Sequence, residues 1–363
     1  MARIDNIINV NSVWNSTISL PILESVTLKV WIYSGTQGDE AAQSVELIAN
    51  ESRLELPTYI LKGSAVLNGT NKAVQFDIAP LVRDYIESSL NQTHNSNNAV
   101  WVDLQSTTTI GGTELINASE HFLALDGYEY TMNIVGNQLD ESLRTSNRYI
   151  LNSEGSQVSY PVLRKGVVAY RWSDGNTILI ESSVTDLTDS DLSNEQIVYL
   201  VSPVDESPTD LRLEYNDTTT ENIKIEDRCQ GRYEHTKLTF VNRLGAFQDV
   251  WFFANAKSSL KVKDDSWNRR NLVSGGGAYR PTAVKNITAV NERHTLNSGF
   301  YPESNNVVFE ELIQAQNVWI TKGIETFPIL IKNTSFNFKD SNTHKAVNYT
   351  INFEYAFNKM KSL

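Results

Sequence analysis

The residues best suited to metal chemistry are five histidines and a single cysteine, Cys229. The histidines are His94, His121, His235, His294 and His344. No two lie two or four residues apart, the spacing that places imidazoles on one face of a strand or helix. Zinc sites usually need such clusters. A site assembled from distant residues stays open, but the spacing does not predict one, and we expect no metal and no cofactor. A lone cysteine forms no intrachain disulfide, and we expect it to be a small buried hydrophobe.

Other sequence motifs for catalysis or ligand binding are incomplete or absent. The acidic run at 186–191 resembles the start of a calcium loop, but counting from Asp189 places Asn194 at the glycine position and Leu200 at the bidentate acid. A solvated acidic loop is the favoured interpretation. The three glycines at 275–277 lack the lysine of a phosphate-binding loop, and no Gly-x-Ser-x-Gly elbow occurs. A glycosidase carboxylate pair stays open because its spacing is spatial. We expect no enzyme.

Charge and hydropathy restrict the partners. The 363 residues include 31 Lys and Arg and 43 Asp and Glu, for a net charge of −12. Such a charge argues against a general phosphate-binding surface, so we expect no sequence-specific nucleic-acid binding, although a local basic patch stays open. The first residues lack the pattern of a signal peptide, and no apolar run approaches the ~20 residues that span a bilayer. We expect a soluble protein, with no membrane partner, made in a cytoplasm.

Period-two alternation predicts a mainly β protein of three domains. An N-terminal β-sandwich with one short helix, at 80–86, occupies residues 1–130, and a middle β-rich domain occupies residues 131–225. A C-terminal domain follows at 226–363. The predicted strands are 27–33, 44–48, 58–61, 74–78, 99–104, 122–125, 167–171, 177–181, 197–201, 211–215, 285–290, 318–320, 328–332, 335–339 and 348–355.

The stretch 228–253 is the clearest local signal. Two strands, 238–243 and 249–253, are joined by a predicted turn at Leu244 and Gly245. Gly245 supplies a positive φ without a Cβ clash. We therefore predict a tight hairpin here.

The C-terminal domain contains a predicted arm and a predicted helix. Residues 260–282 are polar, include three glycines and are too long for a simple connection, which predicts a long loop or arm. Trp267, Arg269 and Arg270 are its candidate subunit-interface residues, because Trp and Arg dominate many interfaces. A mobile surface loop is the equal alternative. Val308, Leu312 and Ala315 form one stripe of a helix predicted at 302–316.

The aromatic residues admit two interpretations. Seven Trp and 15 Tyr could include a platform that stacks on sugars. Most Trp residues lie inside strand patterns, namely Trp31, Trp101, Trp251 and Trp319. Core packing or a subunit interface is therefore favoured over a lectin.

Two blocks resemble structural proteins of tailed-bacteriophage tails or necks, of the type found in phages of Bacteroidota. One block is 74–86 in the N-terminal sandwich. The other is the C-terminal third, with 238–245, 249–253, 296–300, 318–320 and 348–356. The middle region has no such resemblance.

The resemblance implies a non-enzymatic subunit of a ring or tube in a tail, baseplate or head-to-tail connector. It would be part of a virion assembled in the host bacterial cytoplasm. Its partners would be itself in a cyclic homo-oligomer and other virion tail or neck proteins. A tube- or hub-like β-barrel with one flanking helix is the fold expected of the C-terminal domain, by analogy. The alternative is a carbohydrate- or receptor-binding module of a phage tip or cell surface, and a glycan hydrolase ranks third.

Overall fold

The protein is mainly β, as predicted, and its described residues form two compact units. This computed structural model describes residues 6–7, 13–20, 23–33, 57–64, 66–68, 71–85, 99–125, 127, 142–145, 149–163, 167–183, 197–204, 206–215, 218–229, 231–268, 283–323, 325–333 and 346–356. Unit 1 comprises Met1–Arg228 and Phe240–Asp249, and unit 2 comprises Cys229–Thr239 and Val250–Leu363. The three-domain division at 130 and 225 stays a prediction.

The N-terminal part of unit 1 is sandwich-like, as predicted. Its elements are β1 (Asn6–Ile7), β2 (Val13–Leu20), β3 (Leu23–Tyr33), β4 (Tyr59–Ser64), β5 (Val66–Asn68), β6 (Asn71–Asp77), α1 (Ala79–Tyr85), β7 (Ala99–Ile110) and β8 (Thr113–Leu125). One sheet has the order β1-β8-β7-β3-β4 and the other β2-β6-β5. Alternate residues of β3 and β7 meet Phe76 and Val82 in one core, which is the burial that period-two alternation predicts.

The rest of unit 1 forms a second pair of sheets around Trp172 and Tyr160. Its strands are β9 (Tyr149–Ser153), β10 (Ser159–Leu163), β11 (Val167–Asp174), β12 (Thr177–Ser183), β13 (Ile197–Val201), β14 (Asp210–Tyr215) and β15 (Thr220–Arg228). The orders are β12-β11-β14-β15-β9 and β10-β13. Both aromatic side chains are fully buried in one apolar cluster. The predicted strand 44–48 and the acidic run 186–191 lie outside the described residues.

A hairpin follows, formed by β16 (Thr236–Val241) and β17 (Phe247–Phe252). Gly245 has φ 82°, which confirms the predicted turn. Asn242 leaves the strand and is fully buried. Its Oδ1 accepts hydrogen bonds from the N–H groups of Leu244 (3.0 Å) and Ala246 (3.1 Å). Its Nδ2 donates to the carbonyl of Leu143 at 2.7 Å, so the asparagine holds the turn and ties it to a distant segment.

Unit 2 contains the remaining strands and one described α-helix. These elements are β18 (Lys257–Asn268), β19 (Ala283–Asn297), β20 (Tyr301–Pro302), α2 (Asn306–Gln314), β21 (Val318–Lys322), β22 (Glu325–Ile331), β23 (Ala346–Val347) and β24 (Thr350–Tyr355). A 3-10 turn, Glu303–Asn305, precedes α2. The helix predicted at 302–316 is therefore present but shorter. Its Phe309 packs edge-on against Phe252 and Tyr301.

The predicted C-terminal barrel is not found. The large sheet has the linear order β17-β16-β21-β22-β24-β19-β18, so among the described residues β17 and β18 are its two edges. No pairing closes the sheet in the part of the chain that the structure describes. The predicted strand 335–339 lies outside that part.

Candidate subunit interface

The described part of the predicted arm, residues 260–268, belongs to a β-ribbon rather than a loop. β18 and β19 pair antiparallel over twelve residue pairs, from Lys257 opposite Thr295 to Asn268 opposite Ala283. The register shifts between Lys263 and Asp264, a bulge that increases local twist. Residues 260–268 are mainly polar, so their composition predicted a loop. They form a strand because they pair with β19, which begins only at Ala283. Residues 269–282 lie outside the described part of the chain.

Most of this ribbon extends past the sheet. β24 pairs with β19 only from His294 to Asn297. Ten of the twelve ribbon pairs lie beyond that contact, from Ser259 opposite Arg293 outward. At about 3.4 Å per residue, this part is about 30 Å long. Among the described residues it is a two-stranded structure with no third strand.

Two large apolar side chains of β18 are exposed. Leu260 is 62% exposed and Trp267 is 51% exposed. Trp267 was predicted as an interface anchor, and it lies near the far end of the ribbon, opposite Val284. Arg269 and Arg270, the other predicted interface residues, lie outside the described residues. Sequence reasoning missed Leu260, although its alternation with Val262 was a usable strand signal.

Aromatic packing anchors the root of the ribbon. The ring of His294 stacks on Phe353 of β24, with centroids 5.0 Å apart, and meets Tyr355 edge-on at 5.0 Å. His294 Nε2 lies 3.4 Å from a carboxylate oxygen of Glu292. Lys322 donates a hydrogen bond of 2.8 Å to the Tyr355 hydroxyl. The contacts of His294 with Phe353 and Tyr355 hold β19 on the sheet where the projecting ribbon begins.

An ionic group lies at the same root. Arg293 Nε donates to Glu354 Oε1 at 2.9 Å, and Lys332 Nζ lies 3.5 Å from Glu354 Oε2. The hydrogen bond from Arg293 is the main reason that the pKa of Glu354 lies below its ordinary value, and Lys332 lowers it further, while partial burial opposes both. Thr295 and Asn352 add a side-chain hydrogen bond of 2.8 Å. Polar cross-strand pairs of this kind stabilise an exposed sheet face.

Two further aromatic rings of unit 2 are exposed. Phe300 is 62% exposed, and Tyr233 is also exposed, with the Arg232 guanidinium carbon 5.9 Å from its ring centroid. Gly299 has φ 72°, and a Cβ there would lie 3.3 Å from the Cβ of Phe253. The positive φ at this close approach turns the chain just before Phe300. Exposed aromatic faces can stack on sugar rings or on protein side chains.

Those candidate histidines and the cysteine that the structure describes do not form a metal site. His294 belongs to the ribbon root, and His235 packs edge-on against Phe253 at 4.9 Å. Cys229 is exposed, so the expectation of a buried cysteine is wrong. His94, His344 and the glycines 275–277 lie outside the described residues. Within the described ranges, no group of three His, Cys, Asp or Glu residues could hold a metal ion.

No described helix has the length and apolar character needed to cross a lipid bilayer.

Comparison with protein-family models and with curated proteins found no match for this chain.

Proposed function

We propose that the protein is a structural subunit of an oligomeric assembly. The single observation that carries the proposal is the ribbon of β18 and β19, which extends about 30 Å past β24. A two-stranded hairpin is marginally stable in water unless another surface covers it. A covering surface would also remove the exposed apolar area of Leu260 and Trp267 from water, which is favourable. A neighbouring subunit is a cover that suits both facts.

The assembly that we propose is a ring or tube in the tail, baseplate or neck of a tailed phage, with other virion proteins as neighbours. Support for the phage setting comes from the sequence resemblance alone. A tube would be a property of the ring of subunits, since the large sheet of one chain is open among its described residues. In this proposal the protein carries out no catalysis and acts by its contacts.

The first test is the mass and shape of the purified chain. Light scattering coupled to gel filtration should give a multiple of the 40.8 kDa chain mass, and negative-stain electron microscopy should show a closed ring. A chain that stays monomeric at high concentration would contradict the assembly role. The virion setting is tested separately. Phage particles are purified from cells that express the chain together with a phage genome, and mass spectrometry determines whether the particles contain the chain.

A carbohydrate- or receptor-binding module is the second candidate. The exposed Phe300 and the Arg232–Tyr233 pair favour it, because aromatic faces provide stacking surfaces. A glycan array with the wild type and a Phe300→Ala variant separates the candidates. Binding that the variant loses would favour this module, whereas an oligomer without glycan binding would favour the structural subunit.

A further inference from the structure

The two compact units carry opposite net charge. Unit 1 contains 33 of the 43 Asp and Glu residues and 15 of the 31 Lys and Arg residues, so its net charge is −18. Unit 2 contains the other 10 acidic and 16 basic residues, so its net charge is +6. The two values add to the −12 of the whole chain. One of the two units therefore has a net positive charge, although the net charge of the whole chain is negative.

The positive charge of unit 2 is concentrated in the segment 257–297, which includes the ribbon. This segment has eight basic and three acidic residues, a net charge of +5, so the rest of unit 2 contributes only +1. All the chain outside the segment has 23 basic and 40 acidic residues, a net charge of −17. The two strands of the ribbon carry a net charge of +2, from five basic residues (Lys257, Lys261, Lys263, Lys285 and Arg293) and three acidic ones (Asp264, Asp265 and Glu292). The other three basic residues of the segment lie at 269–282, outside the described residues.

The ribbon combines this charge with exposed apolar groups. Leu260 lies between Lys257 and the lysines at 261 and 263, and Trp267 follows near the far end of β18. β18 is an edge strand among the described residues. An edge strand that has several lysines in its sequence and exposed apolar side chains at Leu260 and Trp267 fits a partner that provides carboxylates and apolar contacts.

We propose that the ribbon of one copy docks on unit 1 of a second copy, so that copies associate head to tail. This inference rests on the proposed function and specifies which surfaces meet. Unit 1 has more carboxylates than basic groups, and each copy of the chain contributes one ribbon and one unit 1. Nucleic acid is the competing partner for a basic ribbon, and the test below includes it as an outcome.

The geometry of this contact has a consequence for the assembly. The ribbon and unit 1 are different surfaces, so each copy offers one of each and the contact is heterologous. Repeated heterologous contacts close into a ring or continue as a filament. A two-fold dimer through identical patches is not expected.

Zero-length carbodiimide cross-linking of the full chain tests the contact, because it joins lysine amines directly to carboxylates. Copies labelled with heavy nitrogen are mixed with unlabelled copies, so mass spectrometry identifies links between copies. We expect links from Lys257, Lys261 or Lys263 to Asp and Glu residues of unit 1. The variant Lys261→Glu/Lys263→Glu should lose these links and raise the self-association Kd by about tenfold or more.

The matched control is Lys62→Glu/Lys224→Glu, which changes net charge equally at exposed lysines of unit 1. It should assemble at least as tightly as the wild type, because it adds negative charge to the unit on which the ribbon docks. Circular dichroism checks the folding of both variants. If the ribbon variant misfolds, the wild type remains decisive, since its association should weaken steeply toward 1 M salt, where the Debye length is about 3 Å.

Each other outcome overturns the proposal. Normal assembly of the folded ribbon variant, or salt-insensitive assembly with links elsewhere, would exclude ribbon docking but leave the structural-subunit role intact. A chain that is monomeric at every concentration would contradict both, and retention of a DNA duplex by that monomer would identify a polyanion as the ribbon's partner.

Discussion

His294 of β19 lies face to face with Phe353 of β24, with ring centroids 5.0 Å apart and an interplanar angle of 18°. The two residues are also directly opposite in the strand register. This pair is where the projecting ribbon joins the sheet of unit 2. The stability of that junction can therefore be tested separately from the outer ribbon.

Truncation at the junction should destabilise unit 2. Phe353 is buried, so Phe353→Ala removes packing and leaves a cavity, and we expect a loss of about 3–5 kcal/mol in unfolding free energy. Phe353→Leu should cost less, because it retains most of the apolar volume. Urea unfolding measures both. Phe300→Ala is the control, expected within about 0.5 kcal/mol of the wild type because Phe300 is exposed.

The buried Asn242 should be important for unit 1. Asn242→Ala removes the acceptor for two backbone N–H groups and the donor to Leu143, and we expect a loss of about 2–4 kcal/mol. Gly245→Val should cost about 1–3 kcal/mol because it forces a β-branched residue to positive φ. Thermal unfolding checks both. Wild-type melting of Gly245→Val would contradict the role assigned to this turn.

The Arg293–Glu354 contact should make stability depend on acid pH. Because the pKa of Glu354 in the folded protein lies below the ordinary 4.5, the folded state favours the ionised carboxylate. The resulting stability is present above pH 4.5 and is lost as pH falls through the lower, folded-state pKa. Arg293→Met should remove at most about 1 kcal/mol at neutral pH, since Arg293 is solvated.

The pH series compares the wild type and Arg293→Met by urea unfolding. Their stability difference should vanish in acid, whereas that between the wild type and a Lys224→Met control should show no such change. A difference between wild type and Arg293→Met that persists at low pH would show that Arg293 acts through packing rather than charge.

Tyr149 should resist ionisation. Burial, together with the hydrogen bond that its hydroxyl donates to Glu226, raises its pKa from 10.0 to about 12. The folded state thus favours the neutral phenol, and this contribution is complete below pH 10 and disappears as pH rises toward 12. The tyrosinate absorbance difference between the wild type and Tyr149→Phe should appear only near pH 12. Its appearance near pH 10 would contradict the burial assigned to this hydroxyl.

Trp267→Ala should impair assembly without unfolding the chain. Its side chain is half exposed on the outer ribbon, so truncation costs little within one chain but would remove an interface anchor. Light scattering should show smaller species, while circular dichroism stays unchanged. Phe300→Ala, at a more exposed aromatic residue of unit 2, serves as the control and should assemble normally. Assembly of Trp267→Ala at wild-type affinity would remove this residue from the interface.

Local patterns alone predicted much of the fold. Alternating apolar residues in β3, β11 and β24 predicted strands because each buries one face. The helical stripe containing Val308 and Leu312 predicted α2, and Gly245 marked its turn because few other residues adopt a positive φ without strain. These signals work because period and backbone freedom depend on residues close together in the chain.

Only the tertiary structure decided the remaining features. The polar residues of β18 become a strand through pairing with β19, and whether β17 and β18 are edges depends on the order of all seven strands. Asn242 gains its role from Leu143, about a hundred positions away in the chain. The separation of +6 from −18 likewise follows from which segments share a unit. Such features are set by contacts between distant segments, which composition and periodicity do not encode.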